Sequence, residues 1–117
     1  MDQVRVLVID DHKGFRELMQ VTVALEPSVA EVRTASHGRE ALEVCATFEP
    51  DVVFVDSLLP EMTGDEITLR IKELHPKAKV ISLSGQMEWE PEFADEKIAK
   101  DGAGFLDEIS RVLDLGD

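Results

Sequence analysis

Residues 52–64 read VVFVDSLLPEMTG: four apolar, mostly β-branched residues lead straight into the carboxylate of Asp56, and a loop with Pro60 and Gly64 follows. An unbroken apolar run bounded by turn residues is typical of a strand that is buried on both faces of a parallel sheet. Asp56 then lies at the carboxyl end of this strand, the edge where open α/β sheets bind their ligands. We therefore expect Asp56 to belong to a functional site.

A second apolar run, residues 4–9, also ends in carboxylates, those of Asp10 and Asp11. Two strands that both end in carboxylates predict a shared acidic pocket formed by Asp10, Asp11 and Asp56. A single aspartate at a strand end is more often a turn or helix-cap residue. The prediction of a shared site therefore rests on several polar residues that all fall at the carboxyl ends of predicted strands. Ser84 is a further residue in such a place.

Most of the chain alternates strand and helix patterns with short connections, which is typical of a doubly wound parallel sheet. The predicted strands are residues 4–9, 31–35, 52–56 and 80–84, with 31–35 nearer the sheet edge. The first predicted helix begins at residue 11 or 12 and ends before Pro27, and two more cover about 40–48 and 65–74.

The last third of the chain allows two registers. In the first, a helix opens at Pro91 and ends before Gly102, a short strand covers 104–106, and a short helix covers 108–115. In the second, residues 96–100 are the strand and 102–115 the helix. Capping favours the first register, because proline suits the first position of a helix and glycine the position after its end. The second register puts two glycines in the first turn of a helix.

Length and composition indicate one domain covering residues 1–117. The formal net charge of −13 and the scattered 12 Lys and Arg argue against a nucleic-acid-binding surface and against docking on anionic membranes. Cys45 is the only cysteine, which excludes an internal disulfide framework. No apolar run approaches membrane-spanning length, and we expect a cytoplasmic protein.

The three carboxylates of the predicted pocket indicate metal binding and phosphoryl chemistry. Three carboxylates in one cleft repel each other unless a cation lies among them, and oxygen ligands without cysteine or paired histidines suit Mg²⁺. A bound Mg²⁺ attracts phosphates, and an aspartate beside it can attack phosphorus to give an aspartyl-phosphate. Ser84 could donate a hydrogen bond to the phosphoryl oxygens.

The sequence resembles a response-regulator receiver domain of two-component signalling over nearly its whole length. The matching segments are VLVIDD at 6–11, VDSLLPEMTG at 55–64, VISLSG at 80–85 and, more weakly, GAGFL at 102–106. Each segment alone is weak evidence. Together, in this order and at roughly the family's spacing, they are strong evidence.

The resemblance implies a flavodoxin-like, doubly wound, five-stranded parallel sheet of order 2-1-3-4-5, closed here by a short helix. It implies that a histidine kinase or phosphotransfer protein phosphorylates Asp56. Mg²⁺ would be held by Asp10, Asp11, Asp56 and the backbone carbonyl of Leu58. Ser84 resembles the family's switch hydroxyl, and Phe105 resembles its switch aromatic.

One position departs from the family. Its phosphoryl-binding lysine stands three residues after the aromatic, where this chain has Glu108. A carboxylate there would repel a phosphoryl group rather than bind it. Lys100 could replace that lysine only in the second register.

These observations predict a phosphoacceptor receiver domain that is not an enzyme, depends on Mg²⁺, and acts on a downstream protein target. Two alternatives remain. One is a pseudo-receiver that works as an unphosphorylated adaptor, which Glu108 favours. The other is a Mg²⁺-dependent phosphohydrolase with Asp56 as nucleophile; the phosphatases concerned carry an acid/base carboxylate two residues later, where this chain has Leu58.

Overall fold

The computed structural model describes residues 3–85, 91–100 and 102–114. Five strands and four helices follow one another along the chain. They are β1 (Val4–Ile9), α1 (Lys13–Ala24), β2 (Val29–Ala35), α2 (Gly38–Cys45), β3 (Val52–Asp56), α3 (Gly64–Leu74), β4 (Lys79–Ser84), β5 (Glu96–Ala99) and α4 (Phe105–Leu113).

The strands form one parallel sheet in the order β2-β1-β3-β4-β5. This order confirms the predicted flavodoxin-like arrangement. Every residue of β3 is buried, as its apolar run predicts. The strand β2 lies at an edge and starts at Val29, two residues before the predicted start.

Two apolar layers cover the sheet. On one face, buried side chains of α1 and α4, such as Met19 and Ile109, pack against the sheet. On the other face, α2 and α3 pack through residues such as Ala41 and Ile71. Helices on both faces explain why the inner strands are apolar on both sides. No described helix has the length and apolar character needed to span a membrane.

The loop after β3 is held close to α3 by Gly64. A Cβ atom at this position would lie 2.8 Å from the backbone oxygen of Asp56. Only glycine lets the start of α3 approach the end of β3 so closely. The approach fixes the entry of α3 directly beside the carboxylate of Asp56.

The predicted register of the last third is wrong, and the second register is the observed one. Residues 96–99 form β5, not part of a helix from Pro91, and 104–106 form no strand. The closing helix begins at Phe105, three residues before its predicted start, and the predicted end at Leu115 lies outside the described residues.

Sheet pairing explains why the capping argument failed. The strand β5 pairs with β4 from Ile81 to Ser84, and Ile98 is buried in the layer formed by α1 and α4. Gly104 takes the N-cap position of α4 without any side-chain cap bond. Long-range pairing and burial therefore outweighed the local capping preferences, which are worth about 1 kcal/mol each.

Candidate functional site

The structure brings Asp10, Asp11 and Asp56 together at the carboxyl edge of the sheet. Asp10 and Asp11 follow β1, and Asp56 is the last residue of the neighbouring strand β3. Each side chain offers one carboxylate oxygen such that the three oxygens lie within 4.8 Å of one another. The acidic pocket predicted from the two strand ends is therefore present as a cluster.

Asp10 is fully buried and firmly oriented. Its Oδ1 accepts a hydrogen bond of 2.8 Å from the backbone N–H of His12, the N-cap of α1. Its backbone oxygen accepts a hydrogen bond of 2.8 Å from the guanidinium of Arg16. Its Oδ2 is buried and forms an ion pair of 2.6 Å with the ammonium of Lys100.

Asp56 is 7% exposed. Its Oδ1 accepts a hydrogen bond of 3.2 Å from the backbone N–H of Leu58. Burial raises the pKa of Asp56, and the neighbouring carboxylate of Asp10 raises it further. The Leu58 N–H and the ammonium of Lys100 act in the opposite direction, because both stabilise the ionised form.

Lys100 supplies a positive charge to the acidic pocket. It directly follows β5, and its backbone N–H donates a hydrogen bond of 2.9 Å to the backbone oxygen of Ser84. Its Nζ lies 2.6 Å from Asp10 Oδ2 and 3.4 Å from Asp56 Oδ2. The predicted register placed Lys100 near the end of a helix, whereas in the structure it directly follows a strand beside the pocket.

Glu108 does not follow β5. It lies in the first turn of α4, where its carboxylate forms an ion pair of 2.8 Å with Arg111. The expectation that a carboxylate takes the lysine position depended on a strand at 104–106. That expectation is wrong, because Lys100 is the residue that leaves the sheet beside the pocket.

Phe105 also differs from its predicted setting. It is the first residue of α4 rather than part of a strand, and its ring packs against Phe15 with centroids 5.7 Å apart. In the observed register, the residue three positions before Lys100 is Lys97. Phe105 therefore lies on α4 and not on β5, and its role as a switch aromatic stays a prediction.

Ser84 and Leu58 lie beside the pocket. Ser84 is the last residue of β4, is 2% exposed and pairs with Ala99 of β5. Leu58 faces solvent with its side chain, while its N–H binds Asp56. Leu58 therefore contacts Asp56 directly, whereas Ser84 ends β4, the strand that pairs with β3.

Phe15 is a residue near the pocket that sequence reasoning missed. Phe15 recurs with Leu18, Met19 and Val23 at spacings of three and four, which predicts only the apolar face of a helix. In the structure the ammonium of Lys100 lies over its ring, 4.5 Å from the centroid. Sequence periodicity shows which face of a helix is apolar but not which side chain of another element lies above it.

The donor set fits a hard divalent cation. All three side chains offer carboxylate oxygens within 4.8 Å of one another, and the buried Oδ2 of Asp10 already pairs with a cation, the ammonium of Lys100. Mg²⁺ binds through one or two carboxylates while it retains several waters. The exposure of Asp11 leaves room for such waters on one side of the site.

Comparison with known proteins agrees with this geometry. The response regulator receiver domain family model matches residues 6–108. The solved structure of the response regulator protein TrrA from Thermotoga maritima, in complex with Mg²⁺-BeF, is 30% identical with a TM-score of 0.80, covering 97% of this chain and 99% of that one.

Two relatives are larger proteins. A protein-glutamate methylesterase/protein-glutamine glutaminase from Geobacter metallireducens is 38% identical over 87 residues, which are 74% of this chain and 25% of that protein. The transcriptional regulatory protein DegU from Brevibacillus brevis is 32% identical over 83 residues, 71% of this chain and 35% of that protein. The matches span only about a quarter to a third of these relatives. The family model matches most of the sequence, and the sheet and the acidic pocket agree with it. The chain therefore belongs to the response regulator receiver domain family.

Proposed function

We propose that this receiver domain is a phosphoacceptor: Asp56 takes a phosphoryl group from a histidine kinase or a phosphotransfer protein, with Mg²⁺ bound in the acidic pocket. The observation that carries the proposal is the setting of Asp56. Its buried carboxylate lies within 4.8 Å of two further carboxylates and 3.4 Å from the ammonium of Lys100. We further propose that residues 1–117 act as one cytoplasmic domain.

The proposed step is an in-line displacement at phosphorus. A carboxylate oxygen of Asp56 forms a bond to the phosphorus of a phosphohistidine as the phosphorus–nitrogen bond breaks. The electron pair of that bond stays with the leaving imidazole nitrogen. The product is an aspartyl-phosphate. The leaving nitrogen takes up a proton from solvent, which leaves the donor histidine as a neutral imidazole.

Receiver domains bind Mg²⁺ at an acidic pocket, and the residues that would hold it here are Asp10, Asp11, Asp56 and the backbone carbonyl of Leu58. When bound, the ion offsets the negative charge of the carboxylates and of the arriving phosphoryl oxygens. Asp10 is suited to this role because its Oδ1 is fixed by the His12 N–H and its buried Oδ2 faces the acidic cluster, where it pairs with the ammonium of Lys100.

Two further residues would hold the phosphoryl group. The ammonium of Lys100 needs to move only slightly from its present ion pairs to contact an oxygen bound to Asp56. The hydroxyl of Ser84, at the end of the neighbouring strand β4, would donate a hydrogen bond to the same group. New charge at Asp56 would then shift the population between two conformations and change the binding of a downstream protein.

The observed register bears on the alternatives. Glu108 favoured the pseudo-receiver adaptor, and that support disappears because Glu108 pairs with Arg111 on α4. The phosphohydrolase would need a carboxylate two residues after Asp56, where Leu58 stands. Turnover of a small phosphate ester that is abolished in Asp56→Asn would favour that second alternative.

Site-directed labelling tests the proposal. The protein is incubated with acetyl phosphate and Mg²⁺, and the incorporated phosphoryl group is measured by mass spectrometry. Asp56→Asn should abolish incorporation. Asp51→Asn is the matched control, since Asp51 lies at the opposite end of β3 and accepts a hydrogen bond from the Arg5 N–H. Equal incorporation in wild type and Asp56→Asn would contradict the proposal.

A further inference from the structure

The ammonium of Lys100 is held from two sides. On one side it pairs with the carboxylates of Asp10 and Asp56. On the other side it lies over the face of the Phe15 ring, 4.5 Å from the centroid. This distance is within the range of about 6 Å over which an aromatic face attracts a cation. The side chain of Lys100 is 20% exposed, so solvent screens the contact only in part.

Phe15 is in turn fixed by its surroundings. It lies in the first turn of α1, and its backbone N–H donates a hydrogen bond of 3.1 Å to the ring of the N-cap residue His12. The ring of Phe105, the first residue of α4, packs against it at an interplanar angle of 49°. The backbone of Phe15 is therefore tied to the start of α1, and its ring packs against α4 as well as against Lys100.

A fixed ring matters because a lysine side chain is long and flexible. The strand β5 ends at Ala99, and the hydrogen bond to Ser84 fixes only the backbone of Lys100. Its carboxylate partners are also the residues that would bind a metal ion. Once a metal ion takes those oxygens, the Phe15 ring is the contact among the described residues that still holds the ammonium near Asp56.

We propose that Phe15 is a positioning residue for Lys100: its ring face holds the ammonium where that group can bind a phosphoryl group on Asp56. The role rests on the proposed phosphoacceptor function. Phe15 touches neither Asp56 nor the phosphoryl group in this proposal and acts only through Lys100. Phe105 supports the ring from behind and links the start of α4 to the pocket.

The test is a double-mutant cycle read out with beryllofluoride, a phosphoryl mimic. Its affinity at saturating Mg²⁺ is measured by ¹⁹F NMR for wild type, Phe15→Leu, Phe15→Tyr, Lys100→Met and the Phe15→Leu/Lys100→Met double variant. Phe15→Leu keeps an apolar side chain but removes the ring face, and should weaken binding about fivefold. Phe15→Tyr keeps the ring face and should stay within about twofold of wild type.

In the Lys100→Met background, Phe15→Leu should have no further effect, because the group it positions is gone. An equal loss in both backgrounds would overturn the proposal and leave Phe15 a packing residue. Full binding by Phe15→Leu alone would also overturn it.

A second readout separates this proposal from the phosphoacceptor function. The ring should shift the ε-methylene ¹H resonance of Lys100 upfield in the metal-free protein, and Phe15→Leu should remove that shift. If wild type binds no beryllofluoride but the shift is present, the phosphoacceptor function fails while the Phe15–Lys100 contact stands. If Phe15→Leu leaves the resonance unchanged, the contact itself is contradicted.

Discussion

The ammonium of Lys100 lies 2.6 Å from the buried Oδ2 of Asp10. This ion pair joins the end of β5 to the end of β1, two strands that are separated in the sheet by β3 and β4. It closes the acidic pocket with one positive charge against three carboxylates. The pocket therefore keeps an excess of negative charge that favours a divalent cation, together with an ammonium suited to bind a phosphoryl group.

Replacing Lys100 should change beryllofluoride binding and Mg²⁺ binding in opposite directions. We expect Lys100→Met to weaken beryllofluoride binding at saturating Mg²⁺ by about tenfold or more, since a charge-assisted hydrogen bond is lost. Mg²⁺ affinity should rise, because no ammonium competes for Asp10. Isothermal titration calorimetry measures both. Lys97→Met, an exposed position on the same strand, is the matched control and should change neither affinity. Unchanged beryllofluoride binding in Lys100→Met would show that Lys100 does not contact the mimic.

Glu108 should be irrelevant to phosphoryl chemistry. Its carboxylate binds Arg111, which also pairs with Glu96. We expect Glu108→Gln to leave the lifetime of the aspartyl-phosphate unchanged and to lower the free energy of unfolding by less than about 1 kcal/mol, as for an exposed ion pair. The lifetime is followed by intact mass after removal of the phosphodonor. A clear change in lifetime would indicate that Glu108 approaches the pocket after all.

The close approach at Gly64 should make it intolerant of a side chain. A Cβ there would lie 2.8 Å from the backbone oxygen of Asp56, and backbone cannot move aside as a flexible side chain can. Gly64→Ala should lower the free energy of unfolding by about 1–3 kcal/mol in urea denaturation. Gly104→Ala is the control, because a Cβ at that position meets nothing within 4 Å. Equal stabilities of the two variants would contradict the observed packing of α3 against β3.

Asp95 should give the protein a pH-dependent contribution to stability. Its Oδ2 accepts hydrogen bonds of 2.8 Å from both Lys72 Nζ and the Val80 N–H. Burial alone would raise the pKa of Asp95, but these two donors outweigh it and the pKa is lowered from 3.8. A lowered folded-state pKa means that the ionised form is favoured by folding, so the contribution is fully present above 3.8 and fades as pH falls through the folded value.

The corresponding variant is Asp95→Asn. Because the Asp95 side chain is 41% exposed, solvent screens the pair, and we expect a loss of only about 1 kcal/mol at pH 7. The difference between wild type and variant should shrink in urea denaturation below pH 4 or so. A difference that persists undiminished at pH 2 would show that the charge of Asp95 is not the cause.

The sheet and the acidic pocket could be predicted from sequence because their signals are local. The apolar runs before Asp10 and Asp56 are continuous, and their ends mark the same edge of a parallel sheet. The helices on both faces follow from the alternation of patterns, whereas the order of the strands was implied by the resemblance to the receiver family. The place of Asp10 and Asp56 at the carboxyl ends of their strands was therefore enough to predict that they share a site.

The last third could not be predicted in this way. Pro91 and Gly102 favour a helix between them, and no local signal opposes it. The competing facts are long-range: Asp95 binds both backbone groups of Val80, and the short strand β5 pairs with β4. The same error hid Lys100 and gave undue weight to Glu108. Sequence order alone also could not show that Phe15 lies beneath Lys100.

The most direct measurement is the intact mass of the wild-type protein after incubation with acetyl phosphate, with and without Mg²⁺. If Asp56 accepts a phosphoryl group in a pocket completed by Mg²⁺, the mass should increase by one phosphoryl group when Mg²⁺ is present. The increase should be absent when the ion is removed by a chelator. No mass increase in the presence of Mg²⁺ would contradict the phosphoacceptor function.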